Sequence, residues 1–155
     1  MSGIGRAWLC TRRERAKRPA AMKGHARSIM TSRVASVGPA TPLADIARLL
    51  AAGGVSGVPV VDGDGRVVGF VSETDLVNAL LEGRDASTPA TSLMSTPVIT
   101  VDEFDRTDDV MRLLREHDIH HLPVVREGRL VGIVTPSDVI RFLVERLLPV
   151  PPEVG

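Results

Sequence analysis

Residues 58–61 read VPVV and residues 122–125 read LPVV, so a short apolar segment with a central proline occurs twice, 64 residues apart. The other matched segments are SIMT and SLMS at residues 28–31 and 92–95, and GFVSETD and GIVTPSD at residues 69–75 and 132–138. The spacing falls to 63 in the last pair, because the turn that precedes it is one residue shorter in the second copy. Hairpin turns tolerate such a change. The chain therefore contains two copies of one unit.

Each copy has the local signals of a strand, a helix, two strands and a second helix. In the first copy, Thr41 is expected to be the N-cap of a helix whose first residue is Pro42, and Ser72 the N-cap of the next helix. We expect strands over residues 33–37, 55–61, 67–71, 98–101, 119–125 and 129–134, and helices over 41–53, 72–81, 106–116 and after Thr135. One unit of about 60 residues buries little surface alone, so two units are expected to pack sheet against sheet.

The ordered set of motifs resembles the CBS domain (cystathionine β-synthase domain) in a tandem pair, the arrangement called a Bateman module. The motifs are TPLAD at residues 41–45, GVSGVPVVD at 54–62, GFVSETDL at 69–76, DIHHLPVV at 118–125 and GIVTPSDV at 132–139. The resemblance implies an α+β fold in which two βαββα repeats pack sheet to sheet with pseudo-twofold symmetry. The expected divisions are a basic, disordered extension over 1–24, repeat 1 over 25–82, a linker over 83–91, repeat 2 over 92–148 and a tail over 149–155.

The resemblance also implies a function. CBS pairs bind adenosine-containing ligands such as AMP, ADP, ATP or S-adenosylmethionine in clefts between the two repeats. They commonly form disc-like homodimers and regulate a partner protein, which the sequence does not identify. The alternative is a protein–protein interaction or dimerisation module that has kept the fold without binding a ligand.

The first turns of the two helices that follow the hairpins carry candidate ligand-binding residues. Ser72 and Thr135 stand where a strand enters a helix, and the free N–H groups of a helix N-terminus attract phosphate. Asp75 and Asp138, one turn further, can accept hydrogen bonds from the two hydroxyls of a ribose, a contact that the resemblance also implies. Ser137 belongs to the same turn. Ordinary helix capping explains these residues equally well without the resemblance.

His120 and His121 are candidate phosphate contacts, because the resemblance places His or Arg at these positions. A protonated imidazole would hold phosphate more strongly, so weaker binding is expected above about pH 6.5. Two alternatives compete with this interpretation. Neighbouring strand residues point to opposite faces, so one histidine would be a surface residue. With His117 the pair could ligate a metal, but no fourth ligand occurs at a suitable spacing.

The two copies differ where the resemblance places the adenosine end of a cleft. In the first copy this end is assigned to Thr41, Val55, Ser56 and Gly57. The second copy has Asp105 in place of Thr41, and an Asp near a phosphate would repel it. We therefore expect two unequal clefts, of which the better one combines Thr41 and Ser56 with Asp138.

Composition limits the function classes. Hydrophobic residues make up 43% of the chain and aromatic residues 3%, so the core is expected to be aliphatic. The single cysteine, Cys10, cannot form an intrachain disulfide, and no apolar run approaches the ~20 residues needed to span a membrane. A cytoplasmic location follows as the default expectation. Nucleophile-elbow, P-loop and Cys–His motifs are absent from the sequence, so we expect neither enzymatic activity nor a metal site.

Charge separates the N-terminal extension from the rest. Residues 1–27 carry eight basic residues and one acidic residue, whereas residues 28–155 carry 11 basic and 18 acidic residues. Nucleic-acid binding is therefore not expected, except through the basic extension. The extension is interpreted as a disordered tail from an upstream start codon. A targeting sequence, a nucleic-acid or acidic-membrane contact, and a protein-docking segment are the alternatives.

Overall fold

The computed structural model describes residues 23–146 and 148 of the protein. In chain order the elements are helix α1 (Ala26–Ile29), α2 (Leu43–Gly53), strands β1 (Gly57–Val61) and β2 (Val67–Ser72), α3 (Glu73–Leu81), α4 (Ala90–Leu93), β3 (Val101–Asp102), α5 (Thr107–Glu116), β4 (Leu122–Arg126), β5 (Arg129–Val134) and α6 (Pro136–Arg146). The mixed α+β fold and the repeated helix–hairpin–helix order agree with the sequence prediction. Most of the basic extension and the C-terminal tail lie outside the described residues.

The two sheets are small and are built in the same way. Strands β1 and β2 form an antiparallel hairpin, and so do β4 and β5. Val37 pairs in parallel with Val60 of the first hairpin, and β3 pairs in parallel with β4 of the second. The expected first strand over residues 33–37 is wrong except at Val37, and the expected strand over 98–101 is displaced to Val101–Asp102.

Helix α2 begins differently from the sequence prediction. Its N-cap is Pro42, whose backbone is extended, so Thr41 is neither the N-cap nor part of the helix. The Thr41 hydroxyl instead accepts a hydrogen bond from the Gly38 N–H at 3.0 Å and closes the preceding turn. Carbonyl groups of residues 88 and 86 accept from the N–H groups of Leu43 and Ala44, so the helix needs no side-chain cap. As expected, the helix ends at Gly53, and its C-cap Gly54 is in the left-handed conformation with φ 61°.

Each repeat has its own hydrophobic core, aliphatic except for Phe142 in the second, and the chain crosses between the cores. Ala90 and Leu93 of α4 pack into the core of the first hairpin. Ala26 and Ile29 of α1, at the start of the first copy, pack into the core of the second hairpin. The short helix at the start of each copy therefore completes the opposite half of the fold. The expected boundaries follow the sequence repeat, and the packing of the chain does not coincide with them.

The same exchange extends both sheets. Thr31 forms a bridge with Ile133 on β5, and Ser95 forms the equivalent bridge with Phe70 on β2. Glycines make this crossing possible, because a side chain at Gly69 or Gly132 would collide with Met94 or Met30 respectively. Each of the two segments therefore runs along the hairpin of the opposite half of the fold.

The sheets meet at a pseudo-twofold axis. Arg66 and Arg129 occupy equivalent positions in the two copies, 63 residues apart, and form an antiparallel bridge with each other. The Leu130 N–H donates to the Gly65 carbonyl at 2.9 Å next to this bridge. Because Arg66 and Arg129 are equivalent, the axis passes between them, and each surface of one repeat has an equivalent surface on the other. Within the described part of the chain, no helix has the length and apolar character required to cross a membrane.

Candidate functional site

Two cavities, each of about 580 Å³, lie at the junction of the repeats. We call them the Asp75 cleft and the Asp138 cleft. The Asp75 cleft is lined by Ser56, Phe70, Ser72, Glu73, Thr74, Asp75, Ser95, Pro97, Val98, Ile99, Asp118, Ile119, His120 and His121. The Asp138 cleft is lined by Thr31, Arg33, Val34, Ala35, residues 54–58, His120, His121, Ile133, Thr135, Pro136, Ser137 and Asp138.

In the Asp75 cleft, the first turn of α3 is a capping box, as its sequence predicts. The Ser72 hydroxyl accepts from the Asp75 N–H at 3.2 Å, and Asp75 Oδ2 accepts from the Ser72 N–H at 2.9 Å. The other carboxylate oxygen, Oδ1, accepts a single long hydrogen bond, at 3.4 Å, from the hydroxyl of Ser95. One oxygen of Asp75 therefore holds the helix end and the other remains accessible to a ligand.

In the Asp138 cleft, the same turn of α6 is more tightly bonded. Asp138 Oδ2 accepts from the Thr135 N–H at 2.8 Å and from the Thr135 hydroxyl at 3.0 Å. Oδ1 accepts from the Thr31 hydroxyl at 2.8 Å and from the Arg141 guanidinium. The residue is buried, at 4% exposure. Its carboxylate is thus held by four donors, one of which comes from the other end of the chain.

His121 stands in the wall shared by the two clefts. Its Nε2 lies 2.6 Å from the Ser56 hydroxyl, and its ring centroid is 4.9 Å from that of Phe70. Burial, reinforced by the neighbouring His120, lowers the pKa of His121 below the ordinary 6.5. The His121 ring is therefore neutral at pH 7. The stronger phosphate contact expected of a protonated imidazole begins at a lower pH than the ~6.5 expected from the sequence.

Both histidines precede β4 rather than forming part of it, so strand alternation does not separate them. His120 is exposed and His121 half-buried, and each lines both clefts. Ser56 is shared in the same way, so the two cavities have a common wall.

The structure brings most of the candidate residues to the clefts and leaves one out. Val55, Ser56, Gly57, Thr135, Ser137 and Asp138 lie together in the Asp138 cleft, and Ser72 and Asp75 in the other. Ser56 and Asp138, from different repeats, line the same cleft, as expected. Thr41 lines neither cleft, because its hydroxyl and carbonyl are used in the contacts with Gly38 and Ala90. The expectation that Thr41 lines the adenosine end is therefore wrong.

Sequence reasoning missed the segments that follow the crossing residues. Thr31, Arg33, Val34 and Ala35 line the Asp138 cleft. Pro97, Val98 and Ile99 line the Asp75 cleft. A signal was present, since the first segment begins at the end of the repeated SIMT motif and the second begins two residues after SLMS. The repetition of these motifs indicates two copies of one unit, and the structure shows in addition that the segments line the clefts.

The two clefts differ in charge. Glu73 and Asp118 join Asp75 in the first cleft. Among the described residues that line the second, Asp138 is the only acidic one, and Arg33 adds a positive charge. Within residues 23–146 and 148, no three His, Cys, Asp or Glu side chains are grouped so that they could hold a metal ion.

Comparison with known proteins identifies the repeat. The family model of the CBS domain matches residues 26–82 and 90–145. The chain is 33% identical over 110 residues to the CBS domain-containing protein YhcV of Bacillus subtilis (strain 168), covering 70% of this chain and 78% of YhcV. It is 35% identical over 89 residues to the longer uncharacterized protein MJ1225 of Methanocaldococcus jannaschii, covering 57% of this chain and 32% of MJ1225.

Two solved structures are similar over most of the chain. CBSX2 in complex with AMP has 31% identity and a TM-score of 0.70, covering 78% of this chain and 96% of CBSX2. The CBS domain pair of protein MJ0100, in complex with 5′-methylthioadenosine and S-adenosylmethionine, has 25% identity and a TM-score of 0.70, covering 78% and 96%. The similarity therefore extends over about three quarters of this chain and almost the whole of each solved structure.

Proposed function

The chain belongs to the CBS domain family, and on that premise we propose that it is a regulatory module that binds adenosine-containing ligands in the two clefts. The ligand class comprises AMP, ADP, ATP and S-adenosylmethionine. Binding would change how the module acts on a partner protein. The proposal contains no catalytic step, and it places the module in the cytoplasm, where adenine nucleotides are available.

The observation that carries the proposal is the pairing of equivalent cavities with equivalent helix N-termini. Each cavity has a volume of about 580 Å³, within the range typical of small-molecule sites. Each receives a helix start with a Ser or Thr followed three residues later by an Asp. Such a terminus offers N–H donors for an anion, and the Asp offers acceptors for a ribose diol.

The apolar walls suit the remaining part of such a ligand. Val98 and Ile99 lie in the Asp75 cleft, and Val34, Val55 and Ile133 in the Asp138 cleft. An adenine ring buries its faces against aliphatic side chains of this kind. The complexes of CBSX2 with AMP and of MJ0100 with S-adenosylmethionine support transfer of the ligand class to this chain.

Isothermal titration calorimetry of the full chain with AMP, ADP, ATP and S-adenosylmethionine tests the proposal. At least one of these ligands should give saturable binding, and the double variant Asp75→Asn/Asp138→Asn should abolish it. Arg48→Asn is the matched control, because Arg48 pairs with Asp45 on the exposed surface of α2. Absence of binding by all four ligands at millimolar concentration would leave the protein–protein interaction module as the better function.

We also propose that a second copy of this chain covers an exposed apolar face on α3 and α6. Val77 and Leu81 of α3 are 55% and 82% exposed, and the equivalent Ile140 and Val144 of α6 are 58% and 53% exposed. Because the internal pseudo-twofold repeats the face, it can pair with itself in a symmetric homodimer. Light scattering should give a dimer mass for the wild type and a monomer mass for Leu81→Lys/Val144→Lys. A dimer mass for both proteins would exclude this face.

A further inference from the structure

Asp75 and Asp138 occupy equivalent positions but differ in how many acceptor sites they can offer. A carboxylate has about four lone-pair sites. Those of Asp138 receive two donors from Thr135, one from Thr31 and one from Arg141. Asp75 receives the Ser72 N–H and, at 3.4 Å, the Ser95 hydroxyl. A ribose diol can therefore bond Asp75 directly, whereas on Asp138 it must displace an existing donor.

The residue responsible for this difference lies outside the repeated motif. Arg141 follows Asp138 by three residues and pairs with it on the first turns of α6. The equivalent position on α3 is Asn78. The Arg141 side chain is 55% exposed and that of Asp138 is 5% exposed, so the guanidinium covers the Asp138 carboxylate on its solvent side. The second contribution, from Thr31, has a counterpart in the more distant Ser95.

Displacement of Arg141 has a different consequence for different ligands. A phosphate on the ligand offers the released guanidinium a new anionic partner, and bidentate Arg–phosphate contacts are strong. A neutral nucleoside offers none, and a sulfonium ligand adds a repelling positive charge. The lining charges act in the same direction, because Arg33 lies in the Asp138 cleft whereas Glu73 and Asp118 lie in the Asp75 cleft.

We infer that the clefts divide the ligands by charge, with Arg141 as the specificity-determining residue. The Asp138 cleft takes anionic adenine nucleotides, and the Asp75 cleft takes neutral or cationic adenosyl compounds such as a sulfonium. This inference rests on the proposed binding of adenosine-containing ligands and adds the assignment of each class to a cleft. The sequence predicts that the cleft with Asp138 is the better one. For an uncharged ribose ligand the structure indicates the opposite, because Asp138 is the less available acid.

Calorimetry with AMP and S-adenosylmethionine on single variants tests the division. Asp75→Asn should weaken S-adenosylmethionine binding about tenfold or more, equivalent to ~1.4 kcal/mol, with a much smaller effect on AMP. Asp138→Asn should do the reverse. If both ligands depend on the same aspartate, the division is wrong although ligand binding stands. If neither ligand binds the wild type, the proposed function itself fails.

An exchange of residues at the Arg141 position provides a second test that does not remove a buried group. In the Asp75→Asn background, Arg141→Asn should raise the affinity of the remaining cleft for adenosine several-fold and lower its preference for AMP over adenosine. In the Asp138→Asn background, Asn78→Arg should weaken S-adenosylmethionine binding. Arg48→Asn, which opens an exposed pair of the same i,i+3 spacing, is the control. An unchanged AMP-to-adenosine ratio in Arg141→Asn would overturn the role of Arg141.

Discussion

The first turns of α3 and α6 have the same pattern and different surroundings. In both, a Ser or Thr is followed three residues later by an Asp that bonds back to the start of the helix. Asp75 is half-buried with one oxygen almost unused, whereas Asp138 is buried under Thr31 and Arg141. A repeated motif thus fixes where an acid lies. Residues outside the motif determine whether that acid holds the fold or is available to a ligand.

The largest expected effect separates the two acids by stability. Asp138→Ala should lower the free energy of unfolding by about 2–4 kcal/mol, because Thr31 and Thr135 lose a charged acceptor in a buried place. Asp75→Ala should cost about 1 kcal/mol, the usual value of a lost helix cap. Urea unfolding monitored by circular dichroism measures both. Equal losses would mean that the two turns do not differ as described.

A second effect concerns Gly57, which is equivalent to His121 in the repeat and leaves room for the Phe70 ring that packs on His121. A Cβ at Gly57 would lie 2.5 Å from the Phe70 ring and 3.0 Å from the Val71 carbonyl oxygen. Gly57→Ala should therefore cost about 1–3 kcal/mol through overpacking and push the Phe70 ring against His121. Gly63→Ala is the control, since nothing lies within 4 Å of its Cβ position, and it should change stability by less than about 0.5 kcal/mol.

Thermal unfolding of these two alanine variants compares them directly. A Gly57→Ala protein as stable as Gly63→Ala would indicate that Phe70 can move away from the wall at no cost. The packing of Phe70 on His121 would then not define the boundary between the clefts.

The smallest effect is a pH dependence that belongs to one of two adjacent histidines. The pKa of His121 is lowered by burial below the ordinary 6.5. Below that value the unfolded chain takes up a proton that the folded protein resists, so stability falls as the pH decreases from about 6.5 toward the folded pKa. Urea midpoints at about pH 7.5 and about pH 5.5 should show this loss. His121→Gln should reduce this loss of stability, whereas the exposed His120→Gln should retain most of it, because burial is the larger cause of the lowered pKa of His121. A loss that survives His121→Gln would contradict the assignment to His121.

Much of the fold could be predicted from the sequence because its signals are local. The two hairpins, the helices after them and the capping role of Ser72 follow from contiguous residues, and each was found close to its expected place. The prediction that Thr41 is the N-cap of α2 is wrong for a reason that is not local. The linker supplies carbonyls to the first N–H groups of α2, so the helix starts after Pro42 without a side-chain cap.

The candidate site could be predicted in part for the same reason. Asp75, Asp138 and residues 55–57 lie in the clefts. They could be predicted because they belong to motifs that occur in both copies. Residues 33–35 and 97–99 lie in or next to segments predicted as strands, but nothing in their local pattern shows that they face a cleft. They reach the clefts only through the crossing of each leading segment to the opposite half, where Met30 and Met94 pack over glycines.

The sequence by itself determined the repeat, the α+β class, the family and the positions of two acids at helix starts, since each depends on neighbours within one turn or one strand. Only the tertiary structure decided that Thr31 and Asp138, 107 residues apart, share a hydrogen bond and that Ser56 and His121 form one wall. These properties arise from contacts between distant segments, and a motif of a few residues contains no information about what the rest of the chain places against it.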